Sequence, residues 1–288
     1  MLKLFTDSDC ELWHTDIEEL ELGTLLMPFT LNGEYIPYNF GKDFDFKDFY
    51  KNMRNGSIPK TSALNAQDYL DAFEPVLKAG HDILYISFSH KLSATFDFMR
   101  TAIAQLKTKF PKRSVYHIDT LNISIGGALI VKEAVKLWKA GKTANEIIQF
   151  VESIRDKVSL YFIVDDLKYL KRGGRISATS AVLGALLNIK PVLHISNDGA
   201  IVKLQTAKGR KNAIAVLVEK FKTLQDNASQ YDIYITHGDC EADAIDLKTQ
   251  LQAIVGDDAN IIVQDLGPVI GSHSGPGTLG ISFFAKNK

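Results

Sequence analysis

The sequence predicts an α/β fold of two domains: an N-terminal parallel-sheet α/β domain over residues 1–158 and a C-terminal α+β domain over residues 159–288. At 288 residues the chain exceeds the usual size of one hydrophobic core. In the first half, short apolar runs alternate with helical patterns, which favours a parallel sheet with helices on both faces. In the second half, a hairpin pattern and further strand and helix patterns indicate an α+β arrangement.

The N-terminal elements follow from residue spacing. Residues 83–86 and 115–118 are short runs rich in β-branched or aromatic side chains, so they predict buried strands. Before the first of these runs, apolar residues at helical spacing predict a helix over residues 65–80. Thr143 and Glu146 form a capping-box signature, which predicts the start of another helix with an apolar stripe behind it.

The C-terminal elements begin with a strand over residues 159–164 and a short helix opened by residues 165–167. Residues 192–195 and 201–204 flank an Asn-Asp-Gly turn, which predicts a β-hairpin. The remaining patterns are those of two helices and two strands: 211–225, 231–236, 241–255 and 260–263.

Charge and composition exclude some classes of protein. Thirty-three basic side chains against thirty-four acidic ones argue against a protein that holds nucleic acid or an anionic membrane by overall charge. Cys10 and Cys240 lie far apart without a Cys-x-x-Cys pair, so neither a disulfide framework nor a structural zinc site is expected. The apolar runs are too short for a signal peptide or a membrane span, which favours a cytoplasmic protein.

Two hydroxyl-rich segments precede predicted helices. Thr61 and Ser62 stand side by side before the helix predicted over residues 65–80. Residues 87–95, which include Ser93, follow a predicted parallel strand, and ligands bind at the carboxyl ends of such strands. One interpretation is that both segments merely cap helices or shape turns. The functional alternative is an anion site made of hydroxyls and free N–H groups.

A third segment is basic. Lys168, Lys171, Arg172 and Arg175 place four positive charges around the pair 173–174, which is Gly-Gly. Runs of charge are usually solvated surface, yet paired glycines indicate a close approach of the backbone to another group. A phosphate-bearing partner would suit this segment.

The fourth segment, residues 267–277, is predicted to be a glycine-rich loop that holds His273 between two serines. It lacks the Gly-Lys-Ser/Thr ending of a phosphate-binding loop, so it is a weak candidate for nucleotide binding. The small residues of such a loop give a histidine few side chains to pack against, so it is not expected to be a core residue. This favours a functional role. Ser93 and His273 could form a nucleophile–base pair, but the sequence does not bring them together.

These segments, in this order, resemble the DegV family, whose characterised members are the fatty-acid-binding subunits of bacterial fatty acid kinase. The resemblance implies a lipid site near the domain junction and a separate ATP-dependent kinase that transfers the phosphoryl group. This chain would then be a carrier without catalytic machinery of its own. The resemblance is carried by seven segments: 6–8, 59–62, 89–95, 118–120, 165–177, 187–191 and 272–277.

The family's carboxylate-binding residues fall on Thr61, Ser93 and His273, with Ser62 as a neighbour. A buried carboxylate needs such hydrogen bonds. Burial of about fifteen methylenes at about 0.8 kcal/mol each gives on the order of 12 kcal/mol before ordering costs. Two positions depart from the family pattern, which usually has glycine at Ala94 and commonly threonine at Ser274.

The partners implied are a long-chain fatty acid as ligand and the kinase catalytic subunit, with no nucleic acid, cofactor or metal. Lys171, Arg172 and Arg175 are the predicted kinase-docking residues. The absence of a membrane-spanning run still allows transient membrane contact. Two alternatives stay open: a serine hydrolase or acyltransferase that uses Ser93 with His273, and a free-standing lipid carrier.

Overall fold

The computed structural model describes residues 1–176, 188–226 and 228–288. Within them lie the following strands: β1 (Leu2–Asp7), β2 (Gly23–Leu25), β3 (Pro28–Leu31), β4 (Glu34–Pro37), β5 (Lys60–Thr61), β6 (Asp82–Ser87), β7 (Val115–Asp119), β8 (Val158–Ile163), β9 (Ile189–Ile195), β10 (Ile201–Lys208), β11 (Ile233–His237), β12 (Ile261–Asp265) and β13 (Leu279–Phe284). The α-helices are α1 (His14–Glu19), α2 (Phe46–Arg54), α3 (Ala66–Lys78), α4 (Thr95–Lys109), α5 (Ile125–Lys139), α6 (Ala144–Ile154), α7 (Lys168–Arg172), α8 (Arg210–Leu224), α9 (Glu241–Val255) and α10 (Pro268–Ser274).

The N-terminal sheet is parallel, with strand order β2-β1-β6-β7. The predicted strands 83–86 and 115–118 are confirmed as β6 and β7, and Leu84 lies opposite Leu4 on one side and Tyr116 on the other. Helix α3 packs on α4 and contacts β2 and β6, while α5 packs on α6 and contacts β1. The parallel α/β architecture predicted from the alternating pattern is therefore confirmed.

Local signals placed the helix ends correctly. The Asn65 side chain accepts hydrogen bonds from the first turn of α3, and Gly80 lies just beyond the helix at φ +87°. The predicted capping box at α6 is present, because Thr143 and Glu146 each bond the other's backbone N–H.

The second sheet is mixed, with strand order β10-β9-β8-β13-β11-β12. Strands β11 and β12 are parallel, and the other neighbours are antiparallel. The predicted hairpin is β9–β10, with Gly199 at φ +85° in its turn. Helices α8 and α9 cover one face of this sheet and form a core with it. The predicted C-terminal helices and strands are confirmed within a few residues.

The two sheets share a second and larger core. Helix α5 contacts β1 of the first sheet and also β8, β11 and β13 of the second. Buried residues from both sheets, such as Leu4 and Leu160, belong to one apolar cluster. The boundary placed after residue 158 stays a prediction; strand β8 of the second sheet begins at Val158.

A small antiparallel sheet with strand order β4-β3-β5 was not predicted. It places Thr61 opposite Phe29, whose ring packs edge-on against Phe44 and Phe49. Its strands have only two to four residues each, too few for a periodic pattern to be recognised.

The prediction of a loop over residues 267–277 was wrong. Residues Pro268–Ser274 form α10, so His273 lies in the last turn of a short helix. Pro268 fits the first helical position because no partner is needed there for a backbone N–H. Gly271 reflects close packing, since a Cβ at this position would lie 2.5 Å from the Tyr50 hydroxyl. Glycine here serves contact between elements and not loop flexibility.

No helix in the described parts of the chain combines the length and the apolar character needed to cross a bilayer.

The start of α10 is held by the buried side chain of Glu11, which lies four residues after the end of β1. The two Glu11 carboxylate oxygens accept hydrogen bonds from the Gly267 backbone N–H, at 2.6 Å, and from the Ser124 hydroxyl. The Glu11 carbonyl accepts another from the Gln264 side chain at 2.8 Å. Burial raises the pKa of Glu11 to about 7, although the two donors act in the opposite direction.

This raised pKa predicts how stability depends on pH. Between the ordinary pKa of 4.5 and about 7, folded Glu11 keeps a proton that the unfolded chain has lost. The free energy of unfolding therefore falls as pH rises through this window, by on the order of 3 kcal/mol from Glu11. Burial raises the pKa of Asp7 to about 7 as well, so it contributes in the same direction.

In Glu11→Gln the free energy of unfolding should depend less on pH. The dependence that remains should include the contribution of Asp7. The measurement is urea unfolding of both proteins at about pH 5 and about pH 8. Equal losses of stability in the two proteins would contradict the role of Glu11.

Candidate functional site

A cavity of about 220 Å³ is lined by residues of the second sheet, by α10 and by segments that follow the strands of the first sheet. This space is many times what one water molecule requires. Most of its wall is apolar, and the contributing side chains include Phe88, Leu92, Ile123, Leu160, Phe162 and Leu266. It therefore suits a ligand with a substantial apolar part.

All four predicted carboxylate-binding residues line this cavity, namely Thr61, Ser62, Ser93 and His273. The Thr61 hydroxyl lies 2.8 Å from Nε2 of His273, so β5 and α10 meet at this hydrogen bond. Ser62 is exposed, and Ser93 is partly buried. A strand of two residues and a helix of seven residues thus bring together side chains that are far apart in the sequence.

The capping alternative holds for only one of the two hydroxyl segments. Asn65, not Thr61 or Ser62, caps α3. Ser93 does contribute at a helix start, where its hydroxyl accepts a hydrogen bond from the Thr95 N–H at 3.2 Å. That bond leaves the Ser93 hydroxyl hydrogen available to a ligand oxygen.

The His273 imidazole is neutral at physiological pH. Burial, together with the positive charges of Arg175 and Arg172, lowers its pKa to about 3. In the tautomer with hydrogen on Nε2, the ring donates to Thr61, whose own hydrogen can then point to an acceptor in the cavity. Two neutral side chains in this arrangement can bind an anionic oxygen without carrying charge themselves.

Gly173 leaves the space that this imidazole occupies. A Cβ on Gly173 would overlap Nδ1 of His273, so glycine is required for α7 to end against α10. Gly174 is needed for a different reason, because its φ is +72°. The close backbone approach predicted from the Gly-Gly pair is confirmed at Gly173.

The basic segment divides into two parts. Lys171 and Arg172 are exposed, and the Arg172 guanidinium lies 5.1 Å from the centre of the Tyr169 ring. Arg175 instead lines the cavity, and its guanidinium donates to the carbonyls of Leu92, at 3.1 Å, and of Gly173. The structure therefore separates Arg175 from the other two residues for which docking was predicted.

The pair required by the hydrolase alternative is not formed among the described residues. Nε2 of His273 is bonded to Thr61, and the Ser93 hydroxyl is bonded to the Thr95 N–H. A nucleophilic serine would need a base within hydrogen-bond distance. The geometry therefore gives no specific support to hydrolysis.

The two departures from the family pattern also line the cavity. The Ser274 hydroxyl donates to the Ile270 carbonyl at 3.1 Å, so its bond lies within α10. Ala94 is exposed at the start of α4. Two segments that carry the resemblance extend to Ser177 and Leu187, which lie outside the described residues.

Sequence reasoning missed four polar residues in the cavity wall, namely Asp9, Ser124, Thr236 and Thr278. A signal existed for Asp9, because it lies two residues beyond β1 at the carboxyl end of the parallel sheet. Ser124 precedes α5 with φ +53°, a conformation that no local feature of the sequence predicts.

Comparison with known proteins gives a consistent result. The model of the DegV family, described as uncharacterised, matches residues 1–286. A DegV domain-containing protein of Clostridium perfringens is 36% identical over 286 residues, which cover 99% of this chain and 98% of that protein.

Solved structures are similar over the whole chain. A DegV family protein from Thermus thermophilus, described in terms of its fatty acid binding, is 27% identical with a TM-score of 0.84, covering 99% of both chains. DegV from Bacillus subtilis, described as a fatty acid binding protein, is also 27% identical, with a TM-score of 0.83 and 99% of both chains covered.

The lowered pKa of His273 can be measured directly. The ring C–H signals of His273 should show no titration between about pH 5 and about pH 8, because burial disfavours the charged imidazolium. The measurement is NMR of histidine-labelled protein, with the signal assigned by its loss in His273→Gln. A midpoint between pH values of about 6 and 7 would contradict the neutral imidazole.

Proposed function

The chain belongs to the DegV family, and on that premise we propose that it binds one long-chain fatty acid in this cavity and presents the carboxylate to a partner ATP-dependent kinase. The observation that carries the proposal is the Thr61–His273 hydrogen bond in the wall of an otherwise apolar cavity. The fatty acid binding described for the T. thermophilus and B. subtilis proteins supports it. The cytoplasm is the proposed location, since the kinase uses ATP.

The head group is proposed to lie against Thr61, Ser93 and His273, with Ser62 at the edge. A carboxylate removed from water needs hydrogen-bond donors, and this set offers the hydroxyls of Thr61 and Ser93, the first of which is oriented by the imidazole of His273. Arg175 adds a positive charge to the same cavity wall while its own N–H groups hold backbone carbonyls. The arrangement favours an anion over a neutral amide or ester.

The acyl chain is proposed to fill the apolar part of the cavity. Leu160 and Phe162 on β8 line this part, together with Phe88 just beyond the end of β6. Each methylene transferred from water contributes about 0.8 kcal/mol, so a long chain provides most of the binding free energy and the head group fixes orientation.

Presentation to a kinase requires that the carboxylate be reachable. Ser62, Ala63 and Ala94 line the cavity and are also exposed, so they mark a place where it meets solvent. A carboxylate oxygen there would attack the γ-phosphorus of ATP held by the kinase. The bond from that phosphorus to the bridging oxygen breaks, and the products are an acyl phosphate and ADP.

The kinase is proposed to dock on α7. Lys171 and Arg172 are exposed there, and α7 contacts α10, which carries His273. A partner bound at this surface would therefore stand next to the head-group site. Arg175 was also among the residues predicted to dock the kinase. Because its guanidinium holds backbone carbonyls in the cavity wall, it would affect docking only indirectly, by stabilising that wall.

The first test is lipid content. Purified protein should carry about one fatty acid per chain, detected by mass spectrometry of the denatured protein and by rebinding of palmitate or oleate after delipidation. Thr61→Val and His273→Ala should each weaken rebinding by roughly 1–3 kcal/mol, because the carboxylate loses the Thr61 hydroxyl in the first variant and the imidazole that orients this hydroxyl in the second.

Thr30→Val is the matched control, because Thr30 lies on the neighbouring strand β3 and does not line the cavity. It should bind fatty acid like the parent protein. Failure of the parent protein to carry or rebind any fatty acid would reject the proposed function. Unchanged binding in both head-group variants would show that the carboxylate lies elsewhere.

The second test is docking. Arg172→Glu should lower kinase-dependent formation of acyl phosphate by about tenfold and make the remaining activity less sensitive to salt, since exposed charges mainly set the association rate. Lipid content should not change. Activity is measured with the partner kinase at several salt concentrations.

Lys168→Glu is the control on the same helix, because Lys168 is exposed and paired with Asp166 at 3.0 Å. Its effect should be smaller than that of Arg172→Glu. Loss of lipid together with a lower melting temperature in Arg172→Glu would indicate a structural role for Arg172 and would argue against docking.

A further inference from the structure

Three buried carboxyl groups follow one another at the end of β1, at positions 7, 9 and 11, and the fold uses two of them. One oxygen of Asp7 accepts hydrogen bonds from the Tyr85 hydroxyl at 2.8 Å and the Phe88 N–H at 3.3 Å. Glu11 accepts from Ser124 and Gly267. Neither Asp7 nor Glu11 lines the cavity.

Asp9 differs from both neighbours. It lines the cavity, its exposed fraction is only 4%, and its Oδ1 atom has no hydrogen-bond partner among the described residues. A buried polar atom left in this state destabilises the protein unless something else binds it. The carboxyl group that the fold does not use therefore belongs to a residue of the cavity wall.

Two hydroxyl-bearing residues accompany Asp9 in the cavity wall. The backbone N–H of Ser124 donates to the Asp9 carbonyl at 2.7 Å, so these residues are neighbours in the wall. The Ser124 hydroxyl hydrogen is given to Glu11, which leaves its oxygen free to accept. Thr236 on β11 is 3% exposed, and its hydroxyl also lacks a partner within the described chain.

A saturated hydrocarbon chain would leave these groups unpaired. We propose that Asp9, with Ser124 beside it, binds a hydroxyl substituent on the acyl chain, so that the preferred ligand class is hydroxylated long-chain fatty acids. This proposal rests on the proposed function and specifies its ligand. A hydroxyl is the matching group because it donates to an ionised Asp9, accepts from a protonated one, and can also donate to the Ser124 oxygen.

The electrostatics of Asp9 agree with a neutral polar partner. Burial raises its pKa, and the neighbouring carboxyl groups of Asp7 and Glu11 raise it further, while the charge of Arg175 lowers it. A second carboxylate next to Asp9 would be repelled, so the ligand head group belongs with Thr61 and His273 and not here.

The test uses delipidated full-length protein, with stearate and its 3-hydroxy, 10-hydroxy and 12-hydroxy derivatives as competitors of a fluorescent fatty acid. At least one hydroxystearate should bind about tenfold more tightly than stearate, as expected when a buried polar group that lacks a partner gains a hydrogen bond. The position of the hydroxyl in the tightest ligand then gives the distance from the head group to Asp9.

Asp9→Leu should abolish this preference and bind stearate at least as tightly as the parent protein. Asp7→Asn is the matched control, because it replaces a buried carboxyl group two positions away that does not line the cavity, and it should keep the preference.

Stearate binding by the parent protein without preference for any hydroxystearate would overturn the inference and leave the proposed function standing. A preference that persists in Asp9→Leu would also overturn it. If neither stearate nor any hydroxystearate binds, the proposed function itself fails. The comparison within the parent protein decides the question even if Asp9→Leu does not fold.

Discussion

The hydrogen bonds of the buried Glu11 carboxylate are the constraint on which the rest of the site depends. They join the end of β1 to the residue before α5 and to the residue before α10, that is, Ser124 and Gly267. A Cβ on Gly267 would lie 2.7 Å from a Glu11 oxygen, so only glycine allows this approach. A carboxyl group from the segment that follows β1 thereby fixes the start of the helix that carries the histidine.

Further contacts hold α10 in the orientation that the site needs. The Tyr50 hydroxyl donates to the Leu266 carbonyl at 2.7 Å, and the Tyr50 ring packs where Gly271 has no side chain. At the other end of the helix, Gly173 leaves room for the imidazole of His273. The histidine is thus positioned by packing on both sides and needs no charged partner, which is consistent with its lowered pKa.

The cavity combines two chemistries. Its apolar wall comes from the core that both sheets share, so space for a ligand is an extension of the packing that stabilises the fold. Its polar groups lie near the ends of strands and helices, where backbone and side-chain donors are not all hydrogen-bonded within the sheets. Thr61 and His273 suit an anionic head group, whereas Asp9 suits a neutral hydroxyl, and both sets lie in the same wall.

The sequence by itself determined the elements whose signals are local. The capping box of Thr143 with Glu146, the Asn-Asp-Gly hairpin turn and the buried strands β6 and β7 depend on neighbouring residues, so periodicity and turn chemistry were sufficient to predict them. The tertiary structure alone decided that residues 267–277 contain a helix, that Arg175 lines the cavity and that Asp9 lacks a partner. Each of these depends on groups distant in the chain. Glycine is required in α10 only because other elements pack closely against it, and Asp9 is buried without a partner only after both sheets have come together.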